Sequence, residues 1–155
     1  MRRSIAAGNW KMNGLRENFN DILLIDAASE NVNCDVILCV PDTLIREMSE
    51  KTKNIFSGGQ NCHIEASGAF TGDISAEMIK DAGASHVIVG HSERRVNYNE
   101  NNNLIKSKAQ IALNEGLKAI ICIGETLKER ETGITLDIIK KQLLESLPQE
   151  ITGQT

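Results

Sequence analysis

The sequence is short of features that would place it in a specialised class of protein. No apolar run approaches the roughly 20 residues that a membrane helix needs, so we expect no membrane partner. The four cysteines form no C-x-x-C pair and the histidines have no neighbours spaced as metal ligands, so we expect no metal. A net charge of -4 argues against a nucleic-acid partner. No G-x-G-x-x-G or G-x-x-x-x-G-K-S/T loop follows an apolar run, which disfavours a nucleotide-binding sheet.

The composition is that of an ordinary globular chain. Hydrophobic residues make up 41% and charged residues 25% of 155 residues, enough for one domain with a sizeable core. No linker or low-complexity segment interrupts the chain, so we predict a single domain over residues 1–155. Three of the cysteines lie in or beside apolar runs and are interpreted as buried free thiols, which favours a reducing, cytoplasmic location.

Five apolar, β-branched runs begin about 20 to 33 residues apart, the spacing of βαβ crossovers. They are nearly continuous rather than alternating, as expected of parallel strands covered by helices. The predicted strands are Ser4–Asn9, Asp35–Val40, Ile55–Gly59, His86–Gly90 and Ala119–Gly124.

Helical patterns separate these runs. The apolar face of a first helix is predicted from Leu15, Phe19, Ile22 and Leu23. The apolar stripe of the last main helix is predicted from Leu136, Ile139, Leu143, Leu144 and Leu147. The predicted helix-terminal signals are Asp42 and Ser75 as N-caps, Gly116 at a C-cap, and a capping box from Thr126 to Glu129.

The periodicity predicts an α/β fold but leaves two architectures open. A complete open sheet of five strands would fit this length. A closed (β/α)8 barrel needs about 250 residues, so a barrel would be represented only by a truncated portion, from its first strand to its fifth main helix.

The candidate catalytic and binding residues are polar residues at strand ends. Asn9 and Lys11 end the first strand, where a lysine can neutralise a phosphate or a developing oxyanion. His91 follows the fourth strand and precedes a helical turn, where a neutral imidazole can donate to a carbonyl. Glu93 is the nearest carboxylate and could orient Lys11. Taken alone, these patterns also fit a solvated lysine, a capping histidine and a helix N-terminal glutamate.

Four segments stand out together, in this order and spacing: Gly8-Asn9-Trp10-Lys11-Met12-Asn13-Gly14, Gln60-Asn61-Cys62 with Gly68 to Ser75, Gly90-His91-Ser92-Glu93-Arg94-Arg95, and Cys122-Ile123-Gly124-Glu125 with Glu129-Arg130-Glu131. With these segments, the sequence resembles the triosephosphate isomerase family over essentially the whole chain. The resemblance implies a TIM (β/α)8-barrel fold. It also implies an isomerase of glycolysis and gluconeogenesis that interconverts dihydroxyacetone phosphate and D-glyceraldehyde 3-phosphate through an enediolate, without a cofactor.

The resemblance also implies roles for individual residues. Asn9 and Lys11 would bind substrate, His91 would polarise the carbonyl as the neutral imidazole established for this family, and Glu93 would be the acid beside it. Cys122 would be a packing residue near the site.

A homodimer is implied by the same resemblance. The loop from Gly68 to Asp73 would insert into the partner, with Thr71 at its tip between Phe70 and Gly72. Glu100 and Arg94 would support that interface.

The sequence departs from the family after the Ile134–Leu147 helix, because it reaches Thr155 before the sixth strand with the catalytic glutamate, the lid and the phosphate loops. We therefore expect the chain alone to be inactive and poorly soluble unless the remainder is present as a second chain. The alternatives are a non-catalytic fragment that acts through dimer-type assembly by its Phe70–Gly72 arm, or an unrelated catalysis on an open sheet.

Overall fold

The structure, a computed structural model, describes residues 3–148 as five strands crossed by helices. The strands are β1 (Ser4–Asn9), β2 (Cys34–Cys39), β3 (Phe56–Gly59), β4 (His86–Val89) and β5 (Lys118–Ile121). The helices are α1 (Phe19–Ala28), α2 (Asp42–Lys51), α3 (Ala76–Asp81), α4 (Ser92–Asn97), α5 (Asn102–Asn114), α6 (Leu127–Glu131) and α7 (Thr135–Ser146), with a 3-10 turn at Arg16–Asn18 before α1.

Strand order decides between the two architectures that the sequence left open. All four pairings are parallel, and the order is β1-β2-β3-β4-β5, so each strand pairs with its successor in the chain. A doubly wound sheet reverses its strand order at a switch point, whereas a barrel adds strands sequentially. The described residues therefore form a curled half-barrel, which confirms the prediction of a partial (β/α)8 barrel.

The predicted strands are confirmed with small shifts at their ends. β1 has the predicted bounds, while β5 ends at Ile121 rather than at Gly124. Ser75 caps α3 by accepting a hydrogen bond from the Met78 amide, and Thr126 forms the predicted capping box. The prediction of Asp42 as an N-cap was wrong, because Pro41 is the N-cap of α2 and Asp42 is its first helical residue.

The core lies mainly between the sheet and its helices. Buried side chains of α2, β4 and α5, among them Ile45, Val87 and Ile105, pack there into one cluster. A smaller cluster of Ile37, Cys39 and Ile88 fills the inner face of the curled sheet. The four cysteines are free thiols.

The two ends of the half-barrel are less covered than the helical patterns predict. Residues Ser4 to Gly8 of β1 are exposed along the free edge of the sheet. On α1, Phe19 and Ile22 are buried as predicted, but Leu23 is 39% exposed and Leu15, which precedes the helix, is 67% exposed. The predicted stripe of α7 is also largely open, with Leu136 81% and Leu144 67% exposed. The apolar periodicity was correct, but the described residues provide too little surface to bury it.

Candidate active site

The carboxyl ends of β1, β3 and β4 border one cavity of about 640 Å³. It is lined by all four residues that the sequence analysis assigned to catalysis and substrate binding, together with neighbours from loops. The lining residues include Asn9, Lys11, Met12, Gln60, Asn61, Asp73, His91, Glu93, Arg94 and Tyr98. Residues separated by some 80 positions in the chain are brought together because parallel strands end on the same edge of the sheet.

Lys11 supplies the cavity's ammonium group from a strained backbone. Its φ is 54°, a left-handed conformation that costs a residue with a Cβ atom about 1–2 kcal/mol. Its amide donates to Oδ1 of Asn9 at 2.9 Å. Its Nζ atom lies 2.7 Å from Oε1 of Glu93, which directs the side chain across the cavity mouth.

His91 is the N-cap of α4, as its place before a helical turn predicted. Its Nδ1 atom accepts a hydrogen bond of 3.3 Å from the amide of Glu93. An accepting Nδ1 carries no proton, so the neutral ring holds its proton on Nε2. The imidazole is therefore oriented with one nitrogen committed to the backbone and the other available as a donor.

Glu93 lies between the cation and the imidazole. The hydrogen bond from Lys11 is the main cause that lowers the pKa of this carboxyl. Its Oε2 atom is also 3.5 Å from Nδ1 of His91. A carboxylate in this state stays ionised and neutralises Lys11, but it is a weak proton acceptor.

Behind the cavity, Glu100 forms a buried ionic cluster. Its Oε1 atom lies 2.6 Å from Nε of Arg94 and 2.6 Å from Nζ of Lys108, which also donates to Oδ1 of Asn61 at 2.8 Å. Burial raises the pKa of Glu100, but the hydrogen bonds from Lys108 and Arg94 outweigh it and leave the pKa below its usual range. This cluster joins the start of α5 to the loop after β3.

The loop from Glu65 to Asp73 protrudes beside the cavity, and Phe70, Thr71 and Gly72 are all exposed on it. The Phe70 ring packs against His63 in a tilted arrangement, with centroids 4.2 Å apart and an interplanar angle of 38°. Gly72 has a φ of 94°, and among the described residues no atom beyond its chain neighbours lies within 4 Å of the position of its missing Cβ.

A second cavity of about 260 Å³ lies on the other side of His91, between the ends of β4 and β5, and Cys122 and Glu125 line it. Arg95 also lines this second cavity, and its guanidinium donates to the carbonyls of Gly90 at 2.9 Å and Cys122 at 3.0 Å. Burial raises the pKa of the Cys122 thiol, which disfavours a thiolate nucleophile there.

Sequence reasoning missed two residues of this region. Lys108 was given no role, although a lysine on a buried helix face signals a buried anion, here Glu100. Gln60 was noted only as part of a motif, and no local pattern indicates that its amide would reach the loop after β1.

Within residues 3–148, no cluster of three or more His, Cys, Asp or Glu side chains could hold a metal ion. In the same range, no helix combines the length and apolarity required to cross a membrane.

A sequentially ordered parallel sheet with ionisable groups gathered at the carboxyl ends of its strands defines the class of (β/α)-barrel proteins. Comparison with known proteins narrows this class. The chain matches the family model described as triosephosphate isomerase over residues 4–154. It therefore belongs to the triosephosphate isomerase family.

Individual relatives agree with this assignment. The chain is 46% identical over 154 residues to the triosephosphate isomerase of Ruegeria sp. (strain TM1040), covering 99% of this chain and 63% of the relative. It is 49% identical over 152 residues to that of Bradyrhizobium sp. (strain ORS 278), covering 95% and 61%. The crystal structure of the Bartonella henselae enzyme superposes with a TM-score of 0.94 at 46% identity, covering 99% of this chain and 65% of that one. The chain thus spans less than two thirds of the length of these relatives.

Proposed function

We propose that this chain provides the substrate-binding and carbonyl-polarising part of a triosephosphate isomerase. In that reaction dihydroxyacetone phosphate and D-glyceraldehyde 3-phosphate interconvert through an enediolate. The observation that carries the proposal is the convergence of Asn9, Lys11 and His91 on one cavity in a member of this family.

Each of these residues has a distinct part in the proposed reaction. The Lys11 ammonium attracts the substrate phosphate and stabilises the negative charge that develops on the oxygens of the enediolate. The Nε2–H of His91 donates to the carbonyl oxygen and exchanges a proton with the enediolate. Asn9 orients substrate and holds the Lys11 amide, while Glu93 keeps the ammonium in place.

The reaction also needs a base to remove a proton from the carbon beside the carbonyl. Glu93 is poorly suited, because its carboxylate is paired with Lys11 and its pKa is lowered. We propose that the base comes from outside the part of the chain that the structure describes, on a continuation of the chain or on a second polypeptide. On this proposal the 155-residue polypeptide alone turns over no substrate.

A complementation assay tests the proposal. The 155-residue chain is mixed with the segment of the Bartonella henselae enzyme that lies beyond the match, and isomerase turnover is followed with glyceraldehyde 3-phosphate. We expect turnover only in the mixture and a loss of about 10²–10⁴-fold with His91→Gln. Glu77→Gln, an exposed change on α3, is the matched control. Turnover that His91→Gln leaves unchanged would contradict the assigned role of His91. If the two polypeptides bind each other but show no isomerase turnover, the result would favour the non-catalytic alternative.

We also propose that the chain forms a homodimer through the loop from Gly68 to Asp73 and its surroundings. Large apolar side chains there are open to solvent: Met12 is 97%, Tyr98 65% and Phe70 41% exposed. Sedimentation velocity should give the mass of a dimer for the native chain and of a monomer for Thr71→Arg. A native chain that sediments as a monomer would exclude the dimer.

The single domain over residues 1–155 and the cytoplasmic location remain part of this proposal. Free buried thiols at Cys39 and Cys62 favour a reducing compartment. Cell fractionation checks the location, and a single cooperative unfolding transition checks the domain.

A further inference from the structure

Lys11 and Asn99 are the two residues other than glycine that adopt a left-handed backbone within residues 3–148, with φ values of 54° and 53°. Asparagine tolerates this conformation because its short side chain can compensate locally. Lysine has no such compensation. The surrounding structure must therefore hold Lys11 in a conformation that its own backbone disfavours.

Two side-chain amides contact this backbone: Oδ1 of Asn9 accepts from the Lys11 N–H at 2.9 Å, and Gln60 binds the Lys11 carbonyl. The Nε2 group of Gln60, the first residue after β3, donates to the carbonyl of Lys11 at 2.8 Å and to the carbonyl of Cys39 at 3.1 Å. The Cys39 carbonyl, at the end of β2, also accepts the Trp10 amide at 3.0 Å. Both hydrogens of a single NH2 group thus connect the loop after β1 to the ends of β2 and β3.

We propose that Gln60 is a positioning residue for Lys11: its amide fixes the left-handed backbone that directs the Lys11 ammonium into the cavity toward Glu93. What Lys11 then binds rests on the proposed function. The positioning itself rests on the two hydrogen bonds and on the φ value.

The chemistry of the amide makes the proposal specific. The two acceptors are carbonyl oxygens, so residue 60 must present two donors from one atom. Glutamate has nearly the same shape but would place a carboxylate oxygen against both carbonyls. Gln60→Glu therefore removes the two bonds with little change in volume.

A double-mutant cycle tests the positioning by the urea midpoint of the 155-residue chain. Gln60→Glu should lower the midpoint in the native background and lower it by less than half as much in a Lys11→Gly background, because glycine adopts positive φ without strain. Lys11→Ala is the matched control: it removes the ammonium but keeps the Cβ atom, so Gln60→Glu should retain its full effect. Equal shifts in all three backgrounds, or no shift in any, would overturn the proposal. If Gln60→Glu fails to fold in the native background, recovery with Lys11→Gly supports the proposal and failure in both overturns it.

A spectroscopic measurement separates positioning from a general structural role. In chain labelled with ¹³C at lysine Cε, Glu93→Gln should shift the Lys11 signal, which Lys11→Ala identifies by its loss. With Gln60→Ala this response should fall by at least half, because the ammonium is no longer directed at Glu93. An undiminished response would refute the positioning role. Neither measurement needs turnover, so a silent complementation assay would count against the isomerase proposal alone.

Discussion

The Nζ atom of Lys108 lies 2.6 Å from Oε1 of Glu100, and both side chains are almost entirely buried. Arg94 donates to the same oxygen, so one carboxylate oxygen accepts hydrogen bonds from two cations. Oε2 of Glu100 has no hydrogen-bond partner among the described residues. The cluster therefore depends on the charge of a single group.

Glu100→Gln should destabilise the chain strongly. It leaves the Lys108 ammonium buried without its anion, a change that typically costs about 3–5 kcal/mol in the free energy of unfolding. Urea denaturation at neutral pH measures the loss. Glu50→Gln, on an exposed carboxylate 4.0 Å from Arg46, is the control and should change the free energy by less than about 1 kcal/mol. Equal effects of the two substitutions would show that the Lys108 charge is solvated.

His86 should make the stability depend on pH. Burial, followed by the charge of Lys118, lowers the pKa of this imidazole from 6.5 to about 4. The unfolded chain then takes up a proton at higher pH than the folded chain. The contribution of His86 to the free energy of unfolding should be fully present above pH 6.5. It should be lost as the pH drops toward 4, by about 3 kcal/mol in total.

Unfolding free energies of the native chain and of His86→Asn between pH 5 and 7 check this expectation. The substituted chain should have a much flatter profile in this range, which lies above the ordinary pKa of the carboxyl groups. Profiles of equal slope would mean that His86 is as solvated in the folded chain as in the unfolded one.

Arg95 should stabilise the junction between β4 and β5. Its guanidinium donates to the carbonyls of Gly90 and Cys122 and to Oδ1 of Asn102. Arg95→Ala should cost about 2–3 kcal/mol in the free energy of unfolding, because hydrogen bonds to a charged donor are lost. Arg46→Ala, on an exposed arginine, should cost less than about 1 kcal/mol in the same denaturation experiment. A loss of that smaller size at Arg95 would rule out its anchoring role.

The open face of α7 should limit the solubility of the isolated chain. Leu136 and Leu144 expose most of their side chains on it, and contiguous exposed apolar surface promotes association. A chain with Leu136→Lys and Leu144→Lys should remain free of light scattering at higher concentration than the native chain. Lys140→Arg on the same helix is the matched control. No change in the scattering threshold would mean that association involves another surface.

The sheet and the outline of the site could be predicted from local patterns. Apolar runs at βαβ spacing located the strands, and residues at strand ends located Asn9, Lys11 and His91. These features depend on residues close in the chain. Burial of helix faces depends on distant elements, which is why the periodicity at Leu15 and Leu136 predicted a contact that residues 3–148 do not make.

Long-range polar contacts were beyond the sequence for the same reason. Gln60 reaches Lys11 across 49 positions and Lys108 reaches Asn61 across 47. Helix and strand periodicities relate residues that are close in the chain, so they do not indicate either contact. Only the curl of the sheet brings these pairs together.

The sequential order of the strands has a consequence for how the chain is made. When each of β2 to β5 leaves the ribosome, the preceding strand, with which it pairs, has already been synthesised. Pairing partners lie 19 to 32 residues apart, which keeps the loop-closure entropy of each pairing lower than that of a sheet with more distant pairings. Along this sheet, translation and folding can therefore proceed in the same direction, one hydrogen-bonded ladder at a time.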